Sequence, residues 1–145
     1  MEFNMIDGIT FTHTITVEEY NRLRASVDFI TIRPNRAETA LKNSLYTLIA
    51  MDGEKPAGMA RVVGDGGYVY FICDVIVRPD HQSMGLGRQI IETVLAWLEK
   101  QVREEETIMV NLMSAMDKEP FYEKLGFHKR PFGNHGSGMS LWLKK

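Results

Sequence analysis

The sequence predicts a mixed α/β (α+β) fold, a mostly antiparallel central sheet of about six to seven strands with helices on both faces. Three observations predict it. Along the chain, β-rich runs separated by tight turns come first and a β-α-β crossover comes after them. Residues 68–77, Tyr-Val-Tyr-Phe-Ile-Cys-Asp-Val-Ile-Val, are mostly apolar on both faces, as a central strand covered from both sides must be. Residues 86–103 carry Ile90, Val94 and Leu98 in one stripe with Ile91, Leu95 and Val102 beside it, the pattern of a helix laid on a sheet. At 145 residues, 44% hydrophobic and 25% charged, the chain is long enough for one core and reads as one domain, residues 1–145.

Taken in order, residues 9–15 are rich in Ile, Thr and Phe and form the first strand. Thr16 caps the next helix, Glu19 is its capping-box partner, and Tyr20, Leu23 and Val27 give it one face. Pro34 interrupts, and a short helix comes next over residues 36–43. Strands at 45–51 and 57–63 are joined through Asp52-Gly53, a hairpin signal. Gly64-Asp65-Gly66-Gly67 then turns the chain into the central strand. A loop containing Pro79 spans residues 78–84, the long helix comes after it, and residues 107–113 form a strand. Asp117 caps a short helix that tolerates Pro120 in its first turn and ends at Gly126. Residues 127–132 and 139–143 make a final strand pair.

The chemistry concentrates at Gln82-Ser83-Met84-Gly85-Leu86-Gly87-Arg88, between the central strand and the long helix. A helix start presents free N–H groups and the positive end of the dipole, so it attracts phosphate. Glycine leaves the backbone bare for an anion, and Arg88 adds charge just inside. There is no Walker A loop, and a dinucleotide fingerprint begun at Gly85 fails at Ile90. Glycine spacing by itself would equally suit a plain helix start; its place after the central strand favours the anion site.

Read together, Val77-Arg78-Pro79-Asp80-His81-Gln82-Ser83-Met84-Gly85-Leu86-Gly87 and Phe121-Tyr122-Glu123-Lys124-Leu125-Gly126-Phe127 resemble the two motifs of the GCN5-related N-acetyltransferase superfamily. The first fills the pattern V-x-P-x-x-(Q/R)-x-x-G-x-(G/A) at every key position. Residues 41–45, 63–67 and 136–139 further resemble a bacterial subgroup of small members. The resemblance covers nearly the whole chain. It implies that acetyl-CoA is the co-substrate and that Gln82, Ser83, Met84, Gly85, Leu86, Gly87 and Arg88 bind the CoA pyrophosphate. It implies that Val75, Ile76 and Val77 offer backbone groups to the pantetheine arm, where the central strand splays from its neighbour at a bulge. Many members carry an Asn shortly before the motif Tyr. Ser114 and Ala115 stand there in this chain, so the Asn contact passes to Ser114, passes to the backbone, or is absent.

Acetyl transfer needs a neutral amine, N–H donors for the oxyanion and a proton for the leaving thiolate. The resemblance assigns that proton to Tyr122 and also counts it among the cofactor-binding residues; the blander reading is a core or cofactor-packing aromatic. Asp74, the one carboxylate in the central strand, is either hydrogen-bonded structure or a site residue able to take the amine's proton. Candidate acceptor contacts are Tyr20, Arg24, Phe29, Tyr70, Phe132 and His135. The aromatic share points to an apolar or aromatic amine without excluding a polyamine or a protein lysine. Cys73 reads as a small core residue rather than a nucleophile, because no His lies near it in sequence. His13, His81, His128 and His135 have no metal-ligand spacing, so no metal is expected.

Net charge is 17 − 19 = −2, which advertises neither a nucleic-acid nor a membrane partner. No apolar run has the length of a membrane span, and the N-terminus lacks a signal-peptide pattern. A single cysteine fits the reducing cytoplasm. The resemblance also implies a homodimer. The function expected is direct acetyl transfer to the primary amine of a small molecule. The alternative, from another class, is a catalytically silent acyl-CoA-binding sensor.

Overall fold

A computed structural model describes residues 6–145, which fall into two compact units divided between Leu112 and Met113. In the first unit, β1 (Ile9–Thr12) leads to helices α1 (Val17–Ser26) and α2 (Pro34–Lys42). The strands β2 (Tyr46–Asp52), β3 (Lys55–Gly64) and β4 (Val69–Val77) come next. A 3₁₀ turn (Pro79–His81), helix α3 (Leu86–Glu99) and β5 (Met109–Leu112) complete it. Local chemistry accounts for the boundaries. Thr16 Oγ1 accepts the Glu19 N–H at 3.1 Å and starts α1. Pro34 starts α2 instead of preceding it, because proline suits a first turn whose N–H groups lack partners anyway. Asp65 Oδ1 accepts from the N–H groups of Gly67, Tyr68 and Val69 and so shapes the turn into β4.

The strands lie in spatial order 1-2-3-4-5, antiparallel except for the parallel β4–β5 pair. That is the expected crossover, with α3 between β4 and β5 in the chain. Side-chain parity puts a helix on each face. Tyr20 and Leu23 of α1 and Ala37 of α2 form one core with Ile49, Met59 and Ile76. On the other face α3 comes so close to β3 that a Cβ on Gly58 would lie 3.0 Å from Ile90 Cδ1.

One irregularity organises the sheet. On β3, Met59 and Arg61 are two residues apart; their partners on β4, Ile76 and Cys73, are three apart. The extra β4 residue is a bulge, and Asp74 within it has φ +53°, the left-handed region. Without the bulge Cys73 and Ile76 would face opposite sides of the sheet; with it both share the α1 side.

The second unit holds α4 (Glu119–Glu123), with Gly126 at φ +99° just beyond it. The structure departs here from the expected final strand pair. Among the described residues the sheet has five strands rather than six or seven, and residues 127–145 form only the bridge Phe132↔His135. Phe132 and His135 exchange both backbone hydrogen bonds, 3.2 and 2.9 Å, which spends their ladder capacity in a tight reversal. Met139, Leu141, Trp142 and Leu143 have strand-like alternation but no ladder partner among the described residues, and they are exposed. Two further expectations shift. Lys118, not Asp117, stands at the α4 N-cap, and the long helix ends at Glu99 rather than near Arg103.

Candidate active site

At the start of α3, Gly85 is the N-cap, at φ +86°, and Gln89 N–H to Gly85 O (3.1 Å) is the first helical bond. The helix therefore supplies no acceptor to the N–H groups of Leu86, Gly87 and Arg88. Ser83, also left-handed at φ +66°, turns the chain just ahead of them. A Cβ on Gly85 would meet nothing within 4 Å, so the collar is open as well as bare. Leu86 is buried and anchors the collar, while Gln82, Ser83, Met84 and Arg88 are exposed. Gln82 Nε2 donates to Val77 O at 3.0 Å and ties the collar to the end of β4. Arg88 is paired at its Nε with Glu92 (2.6 Å) one turn along, on an exposed face.

His81 fixes the loop that precedes this collar. Its Nε2 lies 2.8 Å from Asp52 Oδ2 at the β2–β3 hairpin and its Nδ1 lies 2.7 Å from Asp80 Oδ1. The Asp52 contact first, then the Asp80 contact, raise the imidazole pKa above its usual range.

Beside the collar, β4 runs past its neighbour. Pairing with β5 begins at Val69↔Met109 and ends at Ile72↔Leu112, so among the described residues 73–77 of β4 pair only with β3. Val75, Ile76 and Val77 fall in that length, directly after the bulge. A strand edge of this kind can take an extended, amide-bearing ligand as an added strand.

Under the bulge lies a buried charge cluster. Asp74 accepts from the Tyr20 hydroxyl, from Arg24 Nη1 at 2.5 Å and from Arg61 Nε at 2.7 Å. The three charged side chains are only 8–12% exposed. Arg24 Nε also donates to Ile30 O (2.7 Å), and Arg61 Nη1 to Ser44 Oγ (3.1 Å). Arg24 further sits 5.7 Å over the Tyr20 ring and 5.5 Å over the Phe29 ring. Burial, then the Asp74 carboxylate, push the Tyr20 phenol up to about 12, so it remains a donor. Burial likewise pushes the Cys73 thiol up to about 11, which suits a core residue rather than a thiolate nucleophile.

The structure thus brings Tyr20, Arg24, Phe29 and Asp74 together. Tyr70 is elsewhere, buried edge-on against Trp97 at 6.4 Å. Arg61 is a member that the sequence pattern did not single out, although it left a signal: a lone cation in an apolar strand, one strand from a lone anion. In the second unit, Tyr122 is buried, with rings of Phe121 and Phe127 at 5.0 and 5.9 Å. Burial raises its phenol pKa. Ser114 Oγ donates to Ala115 O (2.7 Å). Phe132 and His135 form a ring pair at 4.8 Å. Among the described residues no group of three or more His, Cys, Asp or Glu is placed to hold a metal ion, and no helix is long and apolar enough to cross a membrane.

The profile of the Acetyltransferase (GNAT) family matches residues 10–127, from β1 through α4. The chain belongs to that family. The GNAT chain is 34% identical over 126 residues to the uncharacterized N-acetyltransferase ycf52 of Pyropia yezoensis, covering 84% of this chain and 70% of that one. It is 29% identical to a protein of Oryza sativa named serotonin N-acetyltransferase 2, chloroplastic, over 81% of this chain and 58% of that one. Among solved structures, a Staphylococcus aureus protein of unknown function described as a probable acetyltransferase matches with TM-score 0.83 and 28% identity. That match covers 93% of this chain and 99% of the other.

Proposed function

We propose that this protein is an acetyl-CoA-dependent N-acetyltransferase that passes acetyl directly from CoA to the primary amine of a small molecule. The observation that carries the reading is the open backbone collar at Gly85–Arg88 beside the β4 edge at residues 73–77. The donor set suits the co-substrate. Bare N–H groups and a helix dipole fit a diphosphate, and an unpaired strand edge fits the two amides of a pantetheine arm.

Gln82, Ser83, Met84, Gly85, Leu86, Gly87 and Arg88 would hold the pyrophosphate, through backbone donors and the Arg88 charge. Val75, Ile76 and Val77 would hold the arm and give an N–H to the thioester oxygen as charge develops there. Ser114 and the ring of Tyr122 are the remaining cofactor contacts proposed. In the transfer the amine nitrogen forms a bond to the acetyl carbon, the C–S bond breaks, and the amine loses a proton to solvent water. Tyr122 is the proposed acid for the departing thiolate, since a phenol kept protonated by burial can give a proton to a thiol-forming sulfur. The whole chain, residues 1–145, is proposed to act as one catalytic domain and as a homodimer, which light scattering would test. Its single cysteine suits a reducing compartment, here proposed as the cytoplasm.

For the acceptor, the relative named for serotonin favours an aromatic primary amine. The test is release of free CoA thiol on a panel of serotonin, a polyamine and a lysine peptide, for wild type and Tyr122→Phe. The reading expects turnover of at least one amine by wild type and a large loss in the variant. Tight CoA binding with no turnover on any amine would favour the silent sensor instead.

A further inference from the structure

We propose that Tyr20, Arg24 and Arg61 are positioning residues for acetyl transfer, acting through Asp74 to hold the β4 bulge in register. The inference rests on the acetyltransferase reading. It begins from the backbone. Asp74 is left-handed at φ +53°, a region that side chains other than Gly, Asn and Asp rarely enter. Such a conformation persists only where its surroundings over-determine it. The surroundings here are three donors from two elements, all converging on one carboxylate. Tyr20 and Arg24 lie one turn apart on α1, and Arg61 comes from β3 at the point where the register shifts.

The cluster also reaches outward. Arg61 holds the end of α2 through Ala40 O (3.4 Å) and Ser44 Oγ (3.1 Å), and Arg24 holds the loop carbonyl of Ile30 (2.7 Å). The bulge is therefore pinned to both helices on that face of the sheet. Immediately beyond it in the chain are Val75, Ile76 and Val77, on the length of β4 that β5 leaves unpaired. A one-residue slip there would reverse which backbone and side-chain groups face each side. Both Asp74 oxygens already accept from these donors, so the carboxylate anchors the strand rather than serving as the amine's base.

The experiment uses the full chain and three variants. Tyr20→Phe removes only a hydroxyl. Asp74→Asn keeps a residue tolerant of the left-handed region but removes the charge between two guanidinium groups. Leu48→Ala is a core control outside the cluster, on β2. Two readouts are taken per folded molecule: kcat against KM for acetyl-CoA, and hydrogen exchange of the Val75–Val77 amides. The expected result is a fall in kcat of about tenfold for Tyr20→Phe, and more for Asp74→Asn, with KM for acetyl-CoA rising by a smaller factor than kcat falls. The 75–77 amides should exchange faster in both than in Leu48→Ala. Should Asp74→Asn fail to fold, Tyr20→Phe decides. Tyr20→Phe with wild-type kcat per folded molecule and protected amides would overturn the proposal. If wild type turns over no amine, the functional reading fails first; faster exchange at 75–77 in Tyr20→Phe then still supports the clamp, and unchanged exchange refutes it.

Discussion

Tyr122 is 8% exposed, and burial holds its phenol above the ordinary value of 10.0. In the proposed role of proton donor Tyr122 works only while protonated, so its contribution is lost as pH rises through its folded pKa, which burial has moved upward. Pre-steady-state measurement of the transfer step should therefore show no decline from this group across neutral and mildly alkaline pH. Tyr122→Phe should lower the rate by about 10²-fold, with acetyl-CoA affinity nearly unchanged. A wild-type rate in that variant would return Tyr122 to the role of packing aromatic. Single residues were partly legible in the sequence. Asp74 stood out as a carboxylate in an apolar strand, and Tyr20 and Arg24 as candidate acceptor contacts, but their pairing did not, because they lie 54 and 50 positions from Asp74 and only the folded sheet brings them close. Breaking such a buried pair by removing one partner typically costs about 3–5 kcal/mol, so Arg61→Ala should show that loss in urea unfolding.

At the level of elements, β3 and β4 approach so closely beside the collar that only glycine fits at position 58. A Cβ there would lie 2.7 Å from Ile76 O, which is backbone and cannot swing away. Gly58→Ala should lose about 1–3 kcal/mol on chemical unfolding and raise KM for acetyl-CoA, because the displaced strand is the proposed pantetheine edge. The His81 latch gives a pH signature. Its pKa is raised by Asp52 and Asp80, so its stabilisation is complete below the ordinary His value and fades as pH rises through the folded one. Thermal unfolding from pH 6 to 9 should show that loss in wild type and not in His81→Ala. Runs with both a period and a local partner were legible: the α1 cap, the hairpins and the α3 stripe all came from residues a few positions apart. The terminal strand pair was not, since alternation records only which side chains could share a face and says nothing of whether an edge is there to pair with.

For the whole molecule, the family assignment and the two sequence motifs converge on one co-substrate, and binding it should stabilise the folded chain by mass action. At acetyl-CoA about 100-fold above Kd the gain is about 2.7 kcal/mol, which for a chain of this size raises Tm by roughly 9 °C. ATP at the same concentration should give almost none of that shift, which differential scanning calorimetry would read directly. The acceptor was the least legible property of all, because it depends on pocket shape and not on a motif. The most direct test of the central claim is calorimetric titration of CoA into wild type, Gly85→Asn and Gly85→Glu. Asparagine tolerates the left-handed N-cap and carries no charge, whereas glutamate places a carboxylate against the diphosphate. The account predicts a small change for Gly85→Asn and a Kd at least about tenfold weaker, or about 1.4 kcal/mol, for folded Gly85→Glu. Wild-type affinity in folded Gly85→Glu would contradict it.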